Sequence, residues 1–293
     1  MLQIDCVLDA KALVGEAPMW CEREQVLWWA DIDGRALHRF DPATGLDRNW
    51  TLPSRLGCFA FREQGGFLVA LENGFHFYDP DSGRLEAIVD PEADKPGNRF
   101  NDGTTDPAGR FVAGTMPLGP RKPVAALYRL WPGGRCERLF DGLTVTNGCA
   151  FSPDGRTFYF SDSESSIRTI WACDYDPDDG TITNRRVFVD THGLAGRPDG
   201  GAVDADGCYW MAGVGGWQLV RFTPKGEVDR IIDFPAEKPS KVAFGGADLD
   251  VLYVTTIGAG PTPGTEARQP HAGGLFALRV PGVRGLPPVR FAG

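Results

Sequence analysis

Short hydrophobic runs recur along the chain, and glycine, proline or aspartate turn signals bound each of them. The strongest runs are QVLWWADI, GFLVALE, RTFYFSDS, CYWMAGV and VLYVTT. They are rich in β-branched and aromatic residues and too short for the repeating apolar stripe of an amphipathic helix. The pattern predicts an all-β protein built from many short strands.

One sequence feature repeats six times: an apolar strand that runs into a turn containing proline. The prolines follow one another at intervals of 38 to 57 residues, and they are Pro42, Pro80, Pro132, Pro177, Pro224 and Pro281. Such a period is typical of architectures in which one supersecondary unit is used repeatedly.

A second feature, a short strand followed by a turn and a stronger strand, also occurs six times. The residues five positions before each turn lie 41 to 52 residues apart, and they are Glu16, Gly57, Asn101, Asn147, Asp199 and Ser240. A period near 45 residues with about four strands per unit matches the blade of a β-propeller. We therefore expect a six-bladed β-propeller with about four antiparallel strands per blade, forming a single domain over residues 1–293.

The segment LQIDCVLDA precedes the first repeat. We expect it to supply a strand to the last blade, because that pairing closes the ring and removes an exposed sheet edge.

The six aligned residues should form a ring around the propeller axis, where each blade's inner strand begins. Glu16, Asn101, Asn147 and Asp199 offer side-chain oxygens there, and Arg99 points the same way as Asn101 because side chains alternate along a strand. An alternative stays open, since Asn-Gly and Asp-Gly pairs are common turn dipeptides. Glutamate is no natural turn former, which favours the ring for Glu16.

Carboxylates and carboxamides crowded into a narrow channel repel one another and lose hydration, and a divalent cation relieves both costs. Oxygen donors suit hard cations such as Ca²⁺, Mg²⁺ or Mn²⁺. The four histidines lie outside the ring, so a histidine-rich zinc site is not expected.

Charge and composition narrow the function classes. The formal net charge of −9 argues against nucleic-acid or anionic-membrane partners. No apolar run is long enough to span a bilayer, and the first residues lack the basic and apolar regions of a signal peptide. The seven cysteines form no C-x-x-C pair, which favours reduced thiols and a cytoplasmic location.

Several stretches resemble the gluconolactonase / senescence marker protein (regucalcin) family of six-bladed propeller sugar lactonases. They are LVGEAPMW, NRFNDGTTDPAGRFVAGTM, TNGCAFSPDGRTFYFSDS, RPDGGAVDADGCYWMAGVGGWQLVRF and KPSKVAFGGADLDVLYVTT. The resemblance extends over almost the whole chain.

The resemblance implies that Glu16, Asn147 and Asp199 are metal ligands and that Arg99 and Asn101 bind substrate. The bound ion would be a single divalent metal, Ca²⁺ first, with Mn²⁺, Zn²⁺ or Fe²⁺ as alternatives. One stretch departs from the family pattern. Some members carry an acidic residue just after Gly-Thr-Met, where this chain has PLG at 117–119. The polar contact is either lost here or supplied from elsewhere, by Arg121 or Lys122.

These observations together predict a metal-dependent hydrolase. The expected reaction opens a sugar-derived lactone, the small-molecule partner, to its aldonic acid, with a metal-bound water attacking the carbonyl and Asp199 as general base. Arg99 would hydrogen-bond the sugar hydroxyls or the developing oxyanion, and Asn101 would orient the ring. Asp102 either buttresses Arg99 or Asn101 or only forms a turn. The alternatives are a phosphotriesterase-like hydrolase of the same fold and a non-catalytic calcium-binding propeller.

Overall fold

The computed structural model describes residues 2–293, in which 24 β-strands form six four-stranded antiparallel sheets. Blade 1 comprises β2 (Gly15–Cys21), β3 (Val26–Asp31), β4 (Ala36–Asp41) and β5 (Leu46–Thr51), and blade 2 comprises β6 (Leu56–Phe61), β7 (Phe67–Leu71), β8 (Gly74–Asp79) and β9 (Arg84–Val89). Blade 3 comprises β10 (Asn98–Thr105), β11 (Phe111–Pro117), β12 (Ala125–Leu130) and β13 (Cys136–Leu143), and blade 4 comprises β14 (Thr146–Phe151), β15 (Thr157–Asp162), β16 (Thr169–Tyr175) and β17 (Ile182–Asp190). Blade 5 comprises β18 (Arg197–Val203), β19 (Tyr209–Val214), β20 (Gln218–Phe222) and β21 (Val228–Asp233), and blade 6 comprises β22 (Pro239–Gly245), β23 (Val251–Thr256), β24 (Leu275–Arg279) and β1 (Ile4–Leu8).

The first strand of every blade lies innermost, and the inner strands of neighbouring blades contact one another around the axis. The predicted six-bladed propeller with four strands per blade is confirmed. The predicted closure is confirmed as well, because β1 pairs with β24 and becomes the outermost strand of blade 6. Chain segments from both ends therefore share one sheet.

The second strand of each blade has the strongest hydrophobic run because both of its faces are covered. The strands β3, β7, β19 and β23 are buried at every position. The outer strands β5 and β9 have no fully buried residue and carry mostly polar side chains. Hydrophobic burial thus decreases from the middle of each blade to its rim.

The proline turns lie where the third strand of each blade ends. Pro42, for example, separates β4 from β5, and Pro224 separates β20 from β21. Pro281 follows β24, the third strand of blade 6, and no fourth strand follows it in the chain. The sixth repeat therefore lacks a fourth strand of its own, and β1 supplies it.

All six inner strands carry a β-bulge or register irregularity close to the predicted ring. The shifts fall between Glu16 and Met19 in β2 and between Asn147 and Ala150 in β14, with equivalent shifts in β6, β10, β18 and β22. A bulge redirects the side chains beside it. We call the face of the propeller where the inner strands begin the upper face, and the opposite face the lower face.

The C-terminal segment crosses the lower face after blade 6. The Phe291 N–H donates to the Phe61 carbonyl at 2.8 Å in blade 2, and the Ala292 N–H donates to the Gly109 carbonyl at 3.0 Å in blade 3. Phe291 is completely buried. Among the described residues, no helix has the length and apolar character needed to cross a membrane.

Candidate active site

The structure places the six aligned residues at one level, at or near the start of the six inner strands on the upper face. Four of them bear the predicted oxygen donors, and all four are at most 9% exposed: Glu16, Asn101, Asn147 and Asp199. Gly57 offers no donor, and a Cβ there would lie 2.4 Å from the Phe100 carbonyl oxygen. The Ser240 hydroxyl is used structurally, because it donates to the Gly15 carbonyl at 2.5 Å.

A chain of hydrogen bonds orients the polar groups of blades 3 and 4. Arg99 NH1 donates to Asn101 Oδ1 at 2.7 Å, and Asn101 Nδ2 donates to Asn147 Oδ1 at 2.9 Å. Asn147 Nδ2 donates in turn to Ser163 Oγ at 2.7 Å. Because an amide oxygen has two acceptor sites, Asn147 Oδ1 keeps one for another partner. The predicted common direction of Arg99 and Asn101 is confirmed by their direct contact.

The two ring carboxylates are nearly bare. Glu16 Oε2 accepts a hydrogen bond from the Ala17 N–H at 2.9 Å, and within residues 2–293 the Asp199 carboxylate accepts none. Burial raises the pKa of Glu16 to about 7, and the nearby Asp102 carboxylate adds to the shift. Burial and the Glu16 carboxylate raise the pKa of Asp199 well above its ordinary value.

These observations test whether the donors fit a cation. Burial and neighbouring carboxylates destabilise the charged forms of both groups: Asp102 acts on Glu16, and Glu16 acts on Asp199. Neither forms an ion pair within 4 Å in residues 2–293, and the free acceptor site of Asn147 lies at the same level. An oxygen-only, electron-rich and partly unsatisfied donor set fits a hard divalent ion.

Sequence reasoning missed Lys241, which lies next to Ser240 on β22. Its ammonium group forms a buried ion pair with the Asp102 carboxylate. Asp102 Oδ2 also accepts the Cys149 N–H at 3.0 Å, so the pair joins blades 3, 4 and 6 at the axis. Burial alone would lower the pKa of Lys241, but the Asp102 and Glu16 carboxylates outweigh it and raise this pKa.

Both expectations for Asp102 were wrong. This residue neither supports Arg99 or Asn101 nor belongs to a turn, because it lies inside β10 and pairs with Lys241. The register shift between Phe100 and Gly103 is the physical reason, since it ends the simple alternation of side chains along β10. The basic residue beside the ring position in KPSKVAF was the only sequence signal for the pair.

Aspartates at the ends of second strands fix two of the loops that lead into the ring. Asp31 accepts hydrogen bonds from the Leu13 and Val14 N–H groups, both at 2.9 Å, just before Glu16. Asp162 accepts those of Thr144 at 2.7 Å and Val145 at 3.0 Å, just before Asn147. The same device in blades 1 and 4 therefore holds two donor-bearing strands in place.

A second group of metal-ligating side chains lies on the rim of blade 6, where Cys6, Asp9 and His271 offer atoms within 4.8 Å of one another. Asp9 and His271 are exposed, and the Lys11 ammonium already contacts the Asp9 carboxylate at 2.9 Å. The axial ring is the better candidate for a metal site, because its carboxylates are buried and form no ion pair among residues 2–293.

Comparison with known proteins identifies the family that this sequence matches. A protein-family model described as "SMP-30/Gluconolactonase/LRE-like region" matches residues 14–258. The chain is 40% identical over 290 residues to a 6-deoxy-6-sulfogluconolactonase of Pseudomonas putida, covering 99% of both chains. It is 34% identical over 298 residues to regucalcin of Xenopus laevis, covering 100% of this chain and 99% of the other.

Among solved structures, a calcium-binding protein, regucalcin, from Agrobacterium tumefaciens superposes with a TM-score of 0.93 at 28% identity. The superposition covers 100% of this chain and 98% of that one. The family match covers most of the sequence, and two relatives above 30% identity are matched over nearly their full length. The chain therefore belongs to the SMP-30/gluconolactonase/LRE-like family.

Proposed function

We propose that this chain is a lactonase that hydrolyses a sugar-derived lactone to the corresponding aldonic acid with the help of one divalent cation. The observation that carries the proposal is the pair of buried carboxylates, Glu16 and Asp199, which share the upper end of the axis with the Asn147 carboxamide and lack a cationic partner in residues 2–293. The name of the 6-deoxy-6-sulfogluconolactonase relative supports a sugar lactone as the substrate class.

Glu16, Asn147 and Asp199 would hold the cation. Their oxygen donors favour Ca²⁺, as does the calcium-binding description of the Agrobacterium relative, while Mn²⁺, Zn²⁺ and Fe²⁺ are the alternatives to test. When bound, such an ion supplies Lewis-acid polarisation of a carbonyl oxygen and makes water a better nucleophile near neutral pH.

The chain's own residues would do the rest. The Asp199 carboxylate accepts no hydrogen bond within residues 2–293, so it has an oxygen free to take a proton from the attacking water. Arg99 would donate to the substrate's hydroxyls or to the developing oxyanion, and it is held by its bond to Asn101 Oδ1 at 2.7 Å. The bond from Asn101 to Asn147 keeps the substrate-binding and cation-binding groups in fixed relation.

A pH-indicator assay on a panel of aldonolactones tests the proposal. We expect acid release that disappears on exhaustive chelation and returns with one of the four metal ions. Asp199→Asn should abolish turnover and weaken metal binding while far-UV circular dichroism stays unchanged. Asp250, a partly exposed aspartate that forms an ion pair with Arg279 in blade 6, provides the matched control Asp250→Asn.

Full lactonase activity after exhaustive chelation would overturn the role of the metal. Hydrolysis of a paraoxon-like phosphotriester without lactone hydrolysis would replace the lactonase assignment with the phosphotriesterase alternative. Metal binding with neither activity would leave a calcium-binding propeller.

A further inference from the structure

The guanidinium group of Arg99 is buried at the upper mouth of the channel without a carboxylate partner. Its NH1 donates to the Phe100 carbonyl at 2.8 Å and to Asn101 Oδ1 at 2.7 Å. Its Nε and NH2 donate to no protein atom in residues 2–293, and the side chain forms no ion pair there, although the residue is only 9% exposed. These free nitrogens keep some contact with solvent, so they are available to bind an oxygen-bearing ligand in place of water.

Arg121 lies in the loop that follows β11, the strand paired with the one that carries Arg99. Met116 on β11 is the cross-strand partner of Arg99 on β10, so their side chains share one face of the sheet. Arg121 NH1 lies 4.0 Å from the Met116 sulfur and donates to the Pro117 carbonyl at 3.2 Å. Its remaining guanidinium nitrogens have no hydrogen-bond partner within residues 2–293.

Arg55, another arginine near Arg99, is already neutralised. Arg55 binds the carboxylates of Asp33 and Glu72, each at 2.6 Å. Burial is the main cause that lowers the pKa of Arg99 to about 10, and the nearby Arg55 and Arg121 add to it, against the pull of neighbouring carboxylates. Arg99 and Arg121 are therefore positive groups at the mouth that form no ion pair in residues 2–293, as is Arg197 at the start of β18.

We propose that Arg121, acting beside Arg99, binds an anionic substituent of the lactone, so that the preferred substrate carries a carboxylate, sulfonate or phosphate in addition to the lactone carbonyl. This inference rests on the proposed lactonase function. All three groups present oxygen acceptors that a guanidinium fork can bind with two hydrogen bonds. The sulfo group in the name of the Pseudomonas putida relative belongs to the same chemical class.

The test compares four hexonolactones: the uncharged gluconolactone and derivatives that carry a carboxylate, a sulfonate or a phosphate at carbon 6. Values of kcat/KM are measured for wild type, Arg121→Gln, Arg121→Lys and the control Arg84→Gln. Arg84 is an exposed arginine on the outer strand of blade 2, paired with Glu86 at 2.7 Å. The anionic lactone that is hydrolysed fastest shows whether the subsite prefers a carboxylate, a sulfonate or a phosphate.

We expect wild type and Arg84→Gln to prefer an anionic lactone about tenfold or more over gluconolactone, as charge-assisted hydrogen bonds allow. Arg121→Gln should lose most of that preference through KM rather than kcat, and Arg121→Lys should keep part of it. The wild-type preference should decrease as NaCl is raised, because salt screens an exposed charge.

Two failures remain distinguishable. If wild type hydrolyses gluconolactone at least as well as every anionic derivative, or if Arg121→Gln lowers all four rates equally, the anion subsite is overturned and the lactonase proposal stands. If no lactone is hydrolysed, the proposed function fails. Equilibrium binding of sorbitol 6-phosphate then tests whether Arg121 forms an anion-binding subsite. Wild type should then bind this probe about tenfold more tightly than Arg121→Gln, and equal binding overturns the inference.

Discussion

Replacing Lys241 with methionine leaves the Asp102 carboxylate buried without its cation. The two side chains are 9% and 2% exposed, so water screens their interaction little. Removing one member of a buried ion pair costs about 3–5 kcal/mol of unfolding free energy. Asp102 retains hydrogen bonds from the Gly103 N–H at 2.8 Å and the Cys149 N–H at 3.0 Å, so we expect the lower end, about 3 kcal/mol.

Urea unfolding of the metal-free protein measures this loss, and the thermal midpoint should fall by roughly 5 °C. The double variant Asp102→Asn/Lys241→Met removes both charges together and should recover most of the stability, because no uncompensated charge is left. Arg279→Met is the matched control. Its ion pair with Asp250 is 69% and 36% exposed, and we expect a loss of about 1 kcal/mol or less.

The reasoning is refuted if Lys241→Met costs no more than Arg279→Met. It is also refuted if the losses of the single variants Asp102→Asn and Lys241→Met simply add in the double variant, because additive losses would mean that the two charges do not interact.

Three further predictions concern the cation donors, the ring closure and the upper loops. Burial raises the pKa of Glu16 in the folded metal-free protein from an ordinary 4.5 to about 7. The free energy of unfolding should therefore decrease as the pH rises from 4.5 to about 7, because the folded state binds this proton more tightly than the unfolded state. Cation binding would displace this proton and that of Asp199, whose pKa burial also raises, so calorimetry should show affinity rising by about tenfold or more per pH unit below pH 7; a flat profile would contradict both pKa shifts. Deleting residues 1–8 removes β1 and exposes the edge of β24, and size-exclusion chromatography should show aggregates; a stable monomer would mean that closure contributes little. Glu237 accepts hydrogen bonds from the Thr262 N–H at 3.0 Å and from Gln269 Nε2 at 3.3 Å, so Glu237→Ala should speed tryptic cleavage after Arg268, and unchanged cleavage would assign the loop's order to other contacts.

The repeat could be predicted because burial leaves a strong pattern in the second strands and proline marks the ends of the third. The strand at Leu46–Thr51 gave no comparable signal, since no position in it is fully buried. Its place in the sheet follows from pairing with β4 rather than from its own composition. Outer strands therefore had to be inferred from the count of elements per repeat.

The level of the ring was predictable because its distance to the following turn is the same in every blade. The direction of Arg99 also followed from alternation, since Phe100 turns the other way and packs against Phe75 at 4.4 Å between ring centroids. Alternation failed just below, where the bulges allow Asp102 and Lys241 to meet across the axis. Strand alternation gives no information about a contact between residues 139 positions apart, and the lysine in KPSKVAF was the only signal for it.

The strand β1 starts at the lower face, because Ile4 pairs with Leu278 near the lower end of β24, and the C-terminal residues lie against the lower turns of blades 2 and 3. Both chain ends thus point away from the mouth lined by Arg99 and the ring. A tether to a resin or an electrode, or a fused reporter domain, can be joined at either end and will leave the opening turned toward the bulk solution.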